Sequence, residues 1–164
     1  MLAAAGLAAC TVGCDRLSKT VAVRELSGVP GRSFLGGVLR LQLVGNRGGF
    51  LSLGVAWPDY FRTGLLLGVP SLLLLVLLVL LARGRFGDGW AAIGMTLVWA
   101  GGASNMIDRI GRGEVVDFLN LGIGPLRTGV FNVADLAITC GSLLALLGFS
   151  RSRRPALRPP SEAR

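Results

Sequence analysis

Two aspartates, eighteen residues apart, are the strongest candidates for chemistry in this chain. Asp117 lies in the apolar stretch Val115-Val116-Asp117-Phe118, and Asp135 lies one turn into a later apolar run. Carboxylates at the rim of a membrane segment are costly to keep there, so a functional role is the default hypothesis for them. We therefore predict that Asp117 and Asp135 face each other across one site.

Such a pair of carboxyl groups could activate water for the hydrolysis of an amide bond. Asp117 has no lysine or arginine beside it in the sequence, and an isolated buried carboxylate is unfavourable unless it is paired or protonated. Two carboxylates that share a site do not easily both ionise, so one keeps a proton while the other can act as a base. The base takes a proton from water, and the acid donates toward the scissile carbonyl and later the leaving amine.

Asp135 also has an entirely structural explanation. Asn132 and Asp135 have the spacing of a capping box, in which an N-cap residue and an acid three residues later satisfy the first backbone N–H groups of a helix. The spacing alone favours this capping role over a catalytic one. Both interpretations remain open at this point.

Other polar residues stand near the ends of the apolar runs. Asp15 and Lys19 are four residues apart, so on a helix they share a face and can pair, either as a plain ion pair or as part of a site. We expect them to mark the end of the first span. Asp108 and Arg109 are most simply a local ion pair or cap, and Asn105 shares a helical face with Asp108.

The composition is that of a membrane-embedded protein. Of the 164 residues, 52% are apolar and only 16% are charged, which is too much buried leucine for a soluble domain. The net charge is +8, but the arginines fall mainly between and after the apolar runs. Attraction to lipid headgroups and control of topology explain them better than binding to nucleic acid does. The absence of histidine excludes Ser-His and Cys-His catalysis.

The cysteines indicate neither a disulfide nor a metal site. Cys10, Cys14 and Cys140 lie in or beside apolar stretches without a CxxC spacing. We expect all three to be buried small hydrophobic residues.

Four apolar runs predict four transmembrane helices, since about twenty residues cross a bilayer. Residues 63–82 form the clearest run, and 90–107 and 130–149 are the third and fourth. The first begins at residue 1 and includes part of the polar cluster near residue 15. A signal peptide is the competing interpretation, but no lysine or arginine precedes the apolar part.

The segments between the runs predict a small β-rich piece and a fixed orientation. Residues 24–60 contain an alternating stretch at 38–44 that is typical of a strand, followed by a glycine-rich turn at 46–52. The arginine-rich tail, 151–164, is expected to be disordered and cytosolic. The distribution of basic residues then places both termini inside, with 24–60 and the loop 108–131 outside.

Together these stretches resemble the lipoprotein signal peptidases, the type II signal peptidases of bacteria, over nearly the whole chain except the tail. The matching stretches are Asp15-x-x-x-Lys19, Asn46-x-Gly48 with Phe50, GGASNMIDRIGRGEVVDF at 101–118, and FNVAD at 131–135. Two positions depart from the usual pattern, since Ser104 replaces a common glycine and alanines are usual after Gly48.

The resemblance implies an aspartic endopeptidase of the bacterial cytoplasmic (inner) membrane, with Asp117 and Asp135 as its dyad. It would cleave prolipoproteins on the amino side of a diacylglyceryl-modified cysteine. Residues implied to line the site and hold the substrate are Asn46, Asn105, Asp108, Arg109 and Asn132, with Asp15 and Lys19 near its edge. The implied fold is mostly α, with four transmembrane helices and an extracytoplasmic β-cradle. The resemblance implies no metal or organic cofactor, and we expect a monomer with a single peptidase domain over 1–150.

Two other classes of function compete with this one. A small transporter or channel would use its acids to carry protons or cations, but it would need them deep in the spans rather than at one rim. A noncatalytic membrane subunit would use Asp135 only as a helix cap, and replacing it with asparagine would then be nearly neutral.

Overall fold

The computed structural model describes residues 2–48, 58–87 and 89–152. These residues form four helices and four strands, with one 3₁₀ turn at Leu35–Gly37. The helices are α1 (Leu2–Leu26), α2 (Asp59–Ala82), α3 (Trp90–Arg112) and α4 (Val133–Ser152). The strands are β1 (Arg32–Phe34), β2 (Leu39–Asn46), β3 (Val115–Ile123) and β4 (Leu126–Arg127).

Two of the described helices are long and apolar enough to cross a membrane. These segments are Gly64–Ala82 of α2 and Val133–Arg151 of α4, which agree with the predicted runs at 63–82 and 130–149. Helices α1 and α3 have 25 and 23 residues, but their charged side chains lower their hydropathy. The protein is thus mostly helical with apolar helices, and the spanning of α1 and α3 stays a prediction.

Helix α1 continues well beyond its charged residues. Asp15 and Lys19 are buried near its middle, and the helix ends only at Leu26. The helix therefore does not end at these two residues, and their place at the end of the first membrane span stays a prediction. Their charges have partners on other helices, so the helix does not need to stop in order to expose them to water.

The four strands form one antiparallel sheet in sequence order. The alternating stretch at 38–44 is largely strand β2, as predicted. Its partner β3 lies in the region expected to be a loop between 108 and 131, and that expectation was wrong. The β-branched and aromatic residues around Asp117 suit a strand that is buried, and pairing with β2 on one side and with Phe131 on the other binds their backbone groups.

The sheet crosses the end of the helices. Phe118 of β3 packs against Ala22 and Leu26 at the end of α1, and these three residues form a buried core cluster. Leu119 pairs with Phe131, just before α4 begins. Strand β3 therefore contacts the end of one helix and the start of another.

Helices α3 and α4 approach each other closely through glycines. A Cβ on Gly94 would collide with the carbonyl oxygen of Gly141, and a Cβ on Gly141 would lie 2.6 Å from the carbonyl oxygen of Gly94. Small residues at such crossings let two backbones meet. This contact fixes the spacing between the two helices that carry Asn105 and Asp135.

The three cysteines are not buried. Cys10, Cys14 and Cys140 are exposed on the described structure, so the expectation that they are buried was wrong. They lie on helix faces that do not pack against another element. The predicted turn at 46–52 lies mostly outside the described residues, as does nearly all of the predicted tail.

Candidate active site

Strand pairing places Asp117 beside the end of β2. Asp117 pairs with Val44 across the sheet, and Asn46 pairs with Val115. The Asp117 carboxyl group is buried and accepts two hydrogen bonds, from Asn46 Nδ2 to Oδ2 at 3.0 Å and from Asn132 Nδ2 to Oδ1 at 2.7 Å. Both donors are amides, so they stabilise the group without neutralising it.

The pKa of Asp117 is raised to about 6, chiefly because burial disfavours the charged form. The hydrogen bond from Asn46 lowers the pKa and the charge of Asp135 raises it. The effect of burial on this pKa is larger than that of the amide hydrogen bonds. Asp117 is therefore a carboxyl group that can hold a proton close to neutral pH.

Asp135 lies in the first turn of α4 and forms the predicted capping box with Asn132. Its backbone N–H donates to Asn132 Oδ1 at 2.9 Å, and its own Oδ2 accepts from the Asn132 backbone N–H at 3.2 Å. The other carboxylate oxygen, Oδ1, accepts from Asn105 Nδ2 at 2.9 Å. Capping thus leaves one oxygen of Asp135 for a side chain of α3.

Asn132 joins the two carboxyl groups. It is fully buried, its oxygen caps the N–H of Asp135, and its Nδ2 donates to Asp117. The same Nδ2 lies 3.0 Å from Asn105 Oδ1. The capping interpretation and the active-site interpretation are therefore compatible, because one asparagine serves both.

Both aspartates line a single cavity of about 640 Å³. Its polar wall also includes Asn46, Asn105 and Arg109. The rest of the wall is mostly apolar or small, formed by Val115, Leu121, Thr128, Gly129, Val130, Phe131, Leu136, Ile138 and Thr139. A peptide segment with apolar side chains, or a lipid chain, fits such a lining chemically.

A buried ion cluster behind the cavity is centred on Lys19. Its ammonium group lies 2.8 Å from Asp15 Oδ2 and 2.8 Å from Asp108 Oδ2, and it donates to Asn105 Oδ1 at 2.9 Å. Three acceptors satisfy the three N–H groups of a lysine. Because Asn105 accepts from Lys19, its amide nitrogen points toward Asp135.

Asp15 connects three helices within this cluster. Its Oδ1 accepts from the Ala134 backbone N–H of α4 at 2.8 Å, and its Oδ2 accepts from Ser104 Oγ of α3 at 2.6 Å. The pairing with Lys19 predicted from the i, i+4 spacing is present as well. Asp15 thus holds the first turn of α4, next to Asp135, against α1 and α3.

Asp108 and Arg109 bind different partners, so their interpretation as a local ion pair was wrong. Asp108 pairs with Lys19 and Arg16 of α1. Arg109 Nη2 donates to the backbone carbonyl of Gly48 at 2.7 Å. Neighbouring residues on a helix point in different directions, which is why the two side chains separate.

A comparison of the sequence with known protein families identifies the chain. A profile of the family described as signal peptidase (SPase) II matches residues 7–151. The chain belongs to the signal peptidase II family.

Curated relatives agree with this assignment. Proteins named lipoprotein signal peptidase from Gloeobacter violaceus and Burkholderia cenocepacia are 35% and 32% identical to the present chain, and each match covers 92% of the present chain. The matches cover 85% and 89% of those two proteins. Another so named, from Xanthomonas campestris, is 33% identical over 90% of this chain and 89% of its own.

A solved structure described as a bacterial membrane enzyme has the same fold. It superimposes with a TM-score of 0.73 at 22% identity and covers 95% of this chain and 94% of its own. At that level of identity the likeness concerns the fold alone.

The structure brings all the predicted site residues of this signal peptidase II into one region, in two layers. Asp117, Asp135, Asn46, Asn105 and Arg109 line the cavity. Buried behind that lining, rather than on it, are Asp15, Lys19, Asp108 and Asn132.

Two polar residues of the second layer were not predicted. Arg16 pairs with Asp108, and Ser104 donates to Asp15. Ser104 lies four residues before Asp108, and this spacing was the one available signal that the two share a helix face. The apolar cavity wall around 128–131 was also missed, because nothing in its sequence distinguishes it from a loop.

Proposed function

We propose that this signal peptidase II cleaves prolipoproteins on the amino side of a diacylglyceryl-modified cysteine, with Asp117 and Asp135 as the catalytic dyad. The observation that carries the proposal is that both carboxyl groups line one cavity and both accept a hydrogen bond from Asn132 behind it. The name of the curated relatives, lipoprotein signal peptidase, supports the substrate class.

In the proposed mechanism, Asp117 carries the single proton of the dyad and Asp135 is the base. The raised pKa of Asp117, about 6, supports its role as the protonated partner. Asp135 takes a proton from water as the water oxygen attacks the scissile carbonyl, and Asp117 donates its proton to the carbonyl oxygen. When the intermediate collapses, the C–N bond breaks, the leaving amine takes up the proton from Asp135, and one hydroxyl group of the intermediate returns a proton to Asp117, which restores the dyad.

The cavity wall would hold the substrate through its polar and apolar parts. Asn46, Asn105 and Arg109 line the cavity and would bind peptide carbonyl groups beside the dyad. The apolar wall opposite suits the side chains of a signal peptide and the acyl chains of the lipidated cysteine. Lys19 would act indirectly, since it orients Asn105, whereas Asn132 binds both carboxyl groups itself.

The proposed setting is the bacterial cytoplasmic membrane. Four spanning helices would place both termini in the cytoplasm and the sheet with the active site at the outer face. Two apolar helices support this arrangement, and the positively charged C-terminal residues favour a cytoplasmic end. We propose that residues 1–150 act as one monomeric domain, followed by a cytoplasmic tail at 151–164.

Cleavage assays with matched precursors test the substrate assignment. The purified protein would be incubated in detergent micelles with a prolipoprotein precursor that carries the diacylglyceryl cysteine and with the same precursor unmodified. We expect mature product from the modified precursor alone. Equal cleavage of both precursors would overturn the lipid requirement, and cleavage of neither would overturn the proposed substrate.

A further inference from the structure

One end of the sheet carries exposed apolar side chains on two neighbouring turns. We call this end the sheet tip and define it as Phe34, Leu35, Val38, Ile123 and Leu126. Leu35, Ile123 and Leu126 are 75%, 78% and 82% exposed. A contiguous patch of exposed apolar groups is typical of a surface that contacts another molecule or a membrane.

The two turns are braced into one unit. The Gly122 backbone N–H donates to the Val38 carbonyl at 2.9 Å. Arg127 bridges them as well, because its Nη1 donates to the Gly37 carbonyl at 2.8 Å and its Nε donates to Asn120 Oδ1. The tip is therefore an ordered surface rather than two independent loops.

Backbone strain at Leu35 supports a functional role for the tip. Leu35 has a φ of +53°, the only positive value at a non-glycine residue in the described part of the chain. A left-handed conformation is unfavourable for a side chain with a Cβ. Here it turns outward a leucine that is 75% exposed, so burial of the side chain within the described residues does not offset the strain, and a partner outside them is expected.

The position of the tip relative to the helices identifies that partner. Strand β3 crosses the end of the bundle, since Val116 N–H donates to Asp108 of α3, Phe118 packs on α1, and Leu119 pairs with Phe131. The apolar span of α4 begins two residues after Phe131, at Val133. The sheet thus lies at the membrane boundary, and four further residues at about 3.3 Å each carry Ile123 roughly 13 Å beyond Leu119.

The charges beside the tip fit lipid phosphates. Arg32 and Arg40 are exposed on β1 and β2, and neither has an ion pair within the described residues. Apolar side chains flanked by arginines are the pattern of a surface that inserts into the headgroup region of a bilayer. A protein partner would not require arginines to lie beside the apolar residues at the level of the membrane boundary.

We propose that the sheet tip inserts into the lipid leaflet at its own end of the bundle, with Arg32 and Arg40 bound to the phosphates of anionic phospholipids. The tip lies next to Leu121, which lines the active-site cavity. Insertion would hold that side of the cavity at the depth at which a lipid-linked substrate travels. The inference concerns lipid contact and does not depend on the proposed cleavage reaction.

Fluorescence from a label on the tip tests the proposal. Leu126→Cys would be introduced into a chain whose Cys10, Cys14 and Cys140 are replaced by alanine, and the new cysteine would carry an environment-sensitive dye. The protein would be placed, one chain per disc and without substrate, in nanodiscs of phosphatidylcholine with and without phosphatidylglycerol. Nitroxide-labelled lipids and aqueous iodide would serve as quenchers, and a label at Arg24→Cys, on the exposed end of α1, would be the control.

We expect blue-shifted emission at position 126, with quenching by nitroxides near the headgroups that exceeds quenching by iodide severalfold. Phosphatidylglycerol should strengthen the blue shift, and the double variant Arg32→Gln, Arg40→Gln should remove that increment. Emission like that of free dye in water, with full quenching by iodide and none by the lipids, would overturn insertion. An unchanged response to phosphatidylglycerol in the double variant would overturn the assignment of the arginines to phosphates.

Discussion

Asn132 carries no charge and does not line the cavity, yet both carboxyl groups of the site bind to it. Its side-chain oxygen caps Asp135 and its nitrogen donates to Asp117. Each of the four carboxylate oxygens accepts one amide hydrogen bond, from Asn46, Asn105 or Asn132. The amides fix the orientation of both acids while leaving a proton free to move between them.

Asn132→Asp separates the two roles of this residue. Aspartate is as good an N-cap as asparagine, so the variant keeps the cap on α4 but loses the N–H that binds Asp117. We expect cleavage to fall by at least about a hundredfold, on the scale of losing one preorganised donor, while α4 stays folded by circular dichroism. Activity close to that of the wild type would mean that Asn132 serves only as a cap.

The raised pKa of Asp117 predicts how stability depends on pH. The folded-state pKa of about 6 lies above the ordinary value of 3.8, so the folded state binds the proton more tightly than the unfolded state does. The resulting stabilisation is complete below about pH 4 and is lost as the pH rises through 6. By this linkage the difference is on the order of 3 kcal/mol.

Thermal unfolding in detergent between pH 4 and pH 8 measures this dependence. The wild type should lose stability over that window, and Asp117→Asn should lose much less, because it has no proton to release. Glu114→Gln, near the start of the same strand and partly exposed, is the matched control and should follow the wild type. Parallel curves for Asp117→Asn and the wild type would contradict the shifted pKa.

At the residue scale, the sequence predicted which side chains lie near the cavity better than it predicted what they touch. The nine predicted site residues could be named from their match to the motifs of the family, and their roles stay a prediction. That Asp108 pairs with α1 rather than with Arg109, and that Ser104 binds Asp15, could not be predicted. Such contacts depend on the crossing of helices that are far apart in the sequence.

At the scale of elements, helix α3 organises the site, because α1, α2 and α4 all pack against it. Its buried face presents Ser104, Asn105 and Asp108 to the neighbouring helices. Lys19 of α1 meets two of these residues and Asp15. The relative positions of α1, α3 and α4 therefore rest on buried charges as well as on apolar packing.

Lys19→Met tests the contribution of this cluster. Removing the lysine leaves Asp15 and Asp108 buried with too few cationic partners, and breaking a buried ion pair in this way costs about 3–5 kcal/mol. We expect a large drop in the unfolding temperature together with loss of cleavage. Arg24→Met is the control, because its pair with Glu25 is largely exposed and should contribute at most about 1 kcal/mol.

Gly94→Ala tests the contact between α3 and α4. The added methyl group would meet the backbone of Gly141 and Ala145, so the two helices would have to separate. We expect lower thermal stability and reduced cleavage, because this contact sets the spacing between α3, which carries Asn105, and α4, which carries Asp135. Gly13→Ala, with open space around its Cβ position, should keep both properties; equal effects of the two changes would contradict the close contact.

The elements differ in how far the sequence predicted them. Apolar runs of sufficient length predicted α2 and α4 nearly to their ends, because a membrane span depends on local composition. Strand β3 was missed, since its longest pairing is with β2, about 75 residues earlier in the chain. Asp117 was therefore found by its type and surroundings, without the element that positions it.

At the scale of the whole molecule, the site lies where the sheet meets the ends of three helices. Asp117 comes from β3, Asp135 from α4, and the charges that orient their amide partners come from α1 and α3. A pair of carboxyl groups built from two such segments exists only when the helices and the sheet are assembled together.

The rate at which Asp117→Asn, Asp135→Asn and the double variant cleave a diacylglyceryl-modified precursor is the most direct test of the dyad. Because the two carboxyl groups would act as one unit sharing a proton, each single change should cost nearly as much as both together. We expect all three variants to lose activity by at least about a thousandfold while remaining folded in the membrane. Cleavage at close to the wild-type rate by either single variant would contradict the catalytic pair.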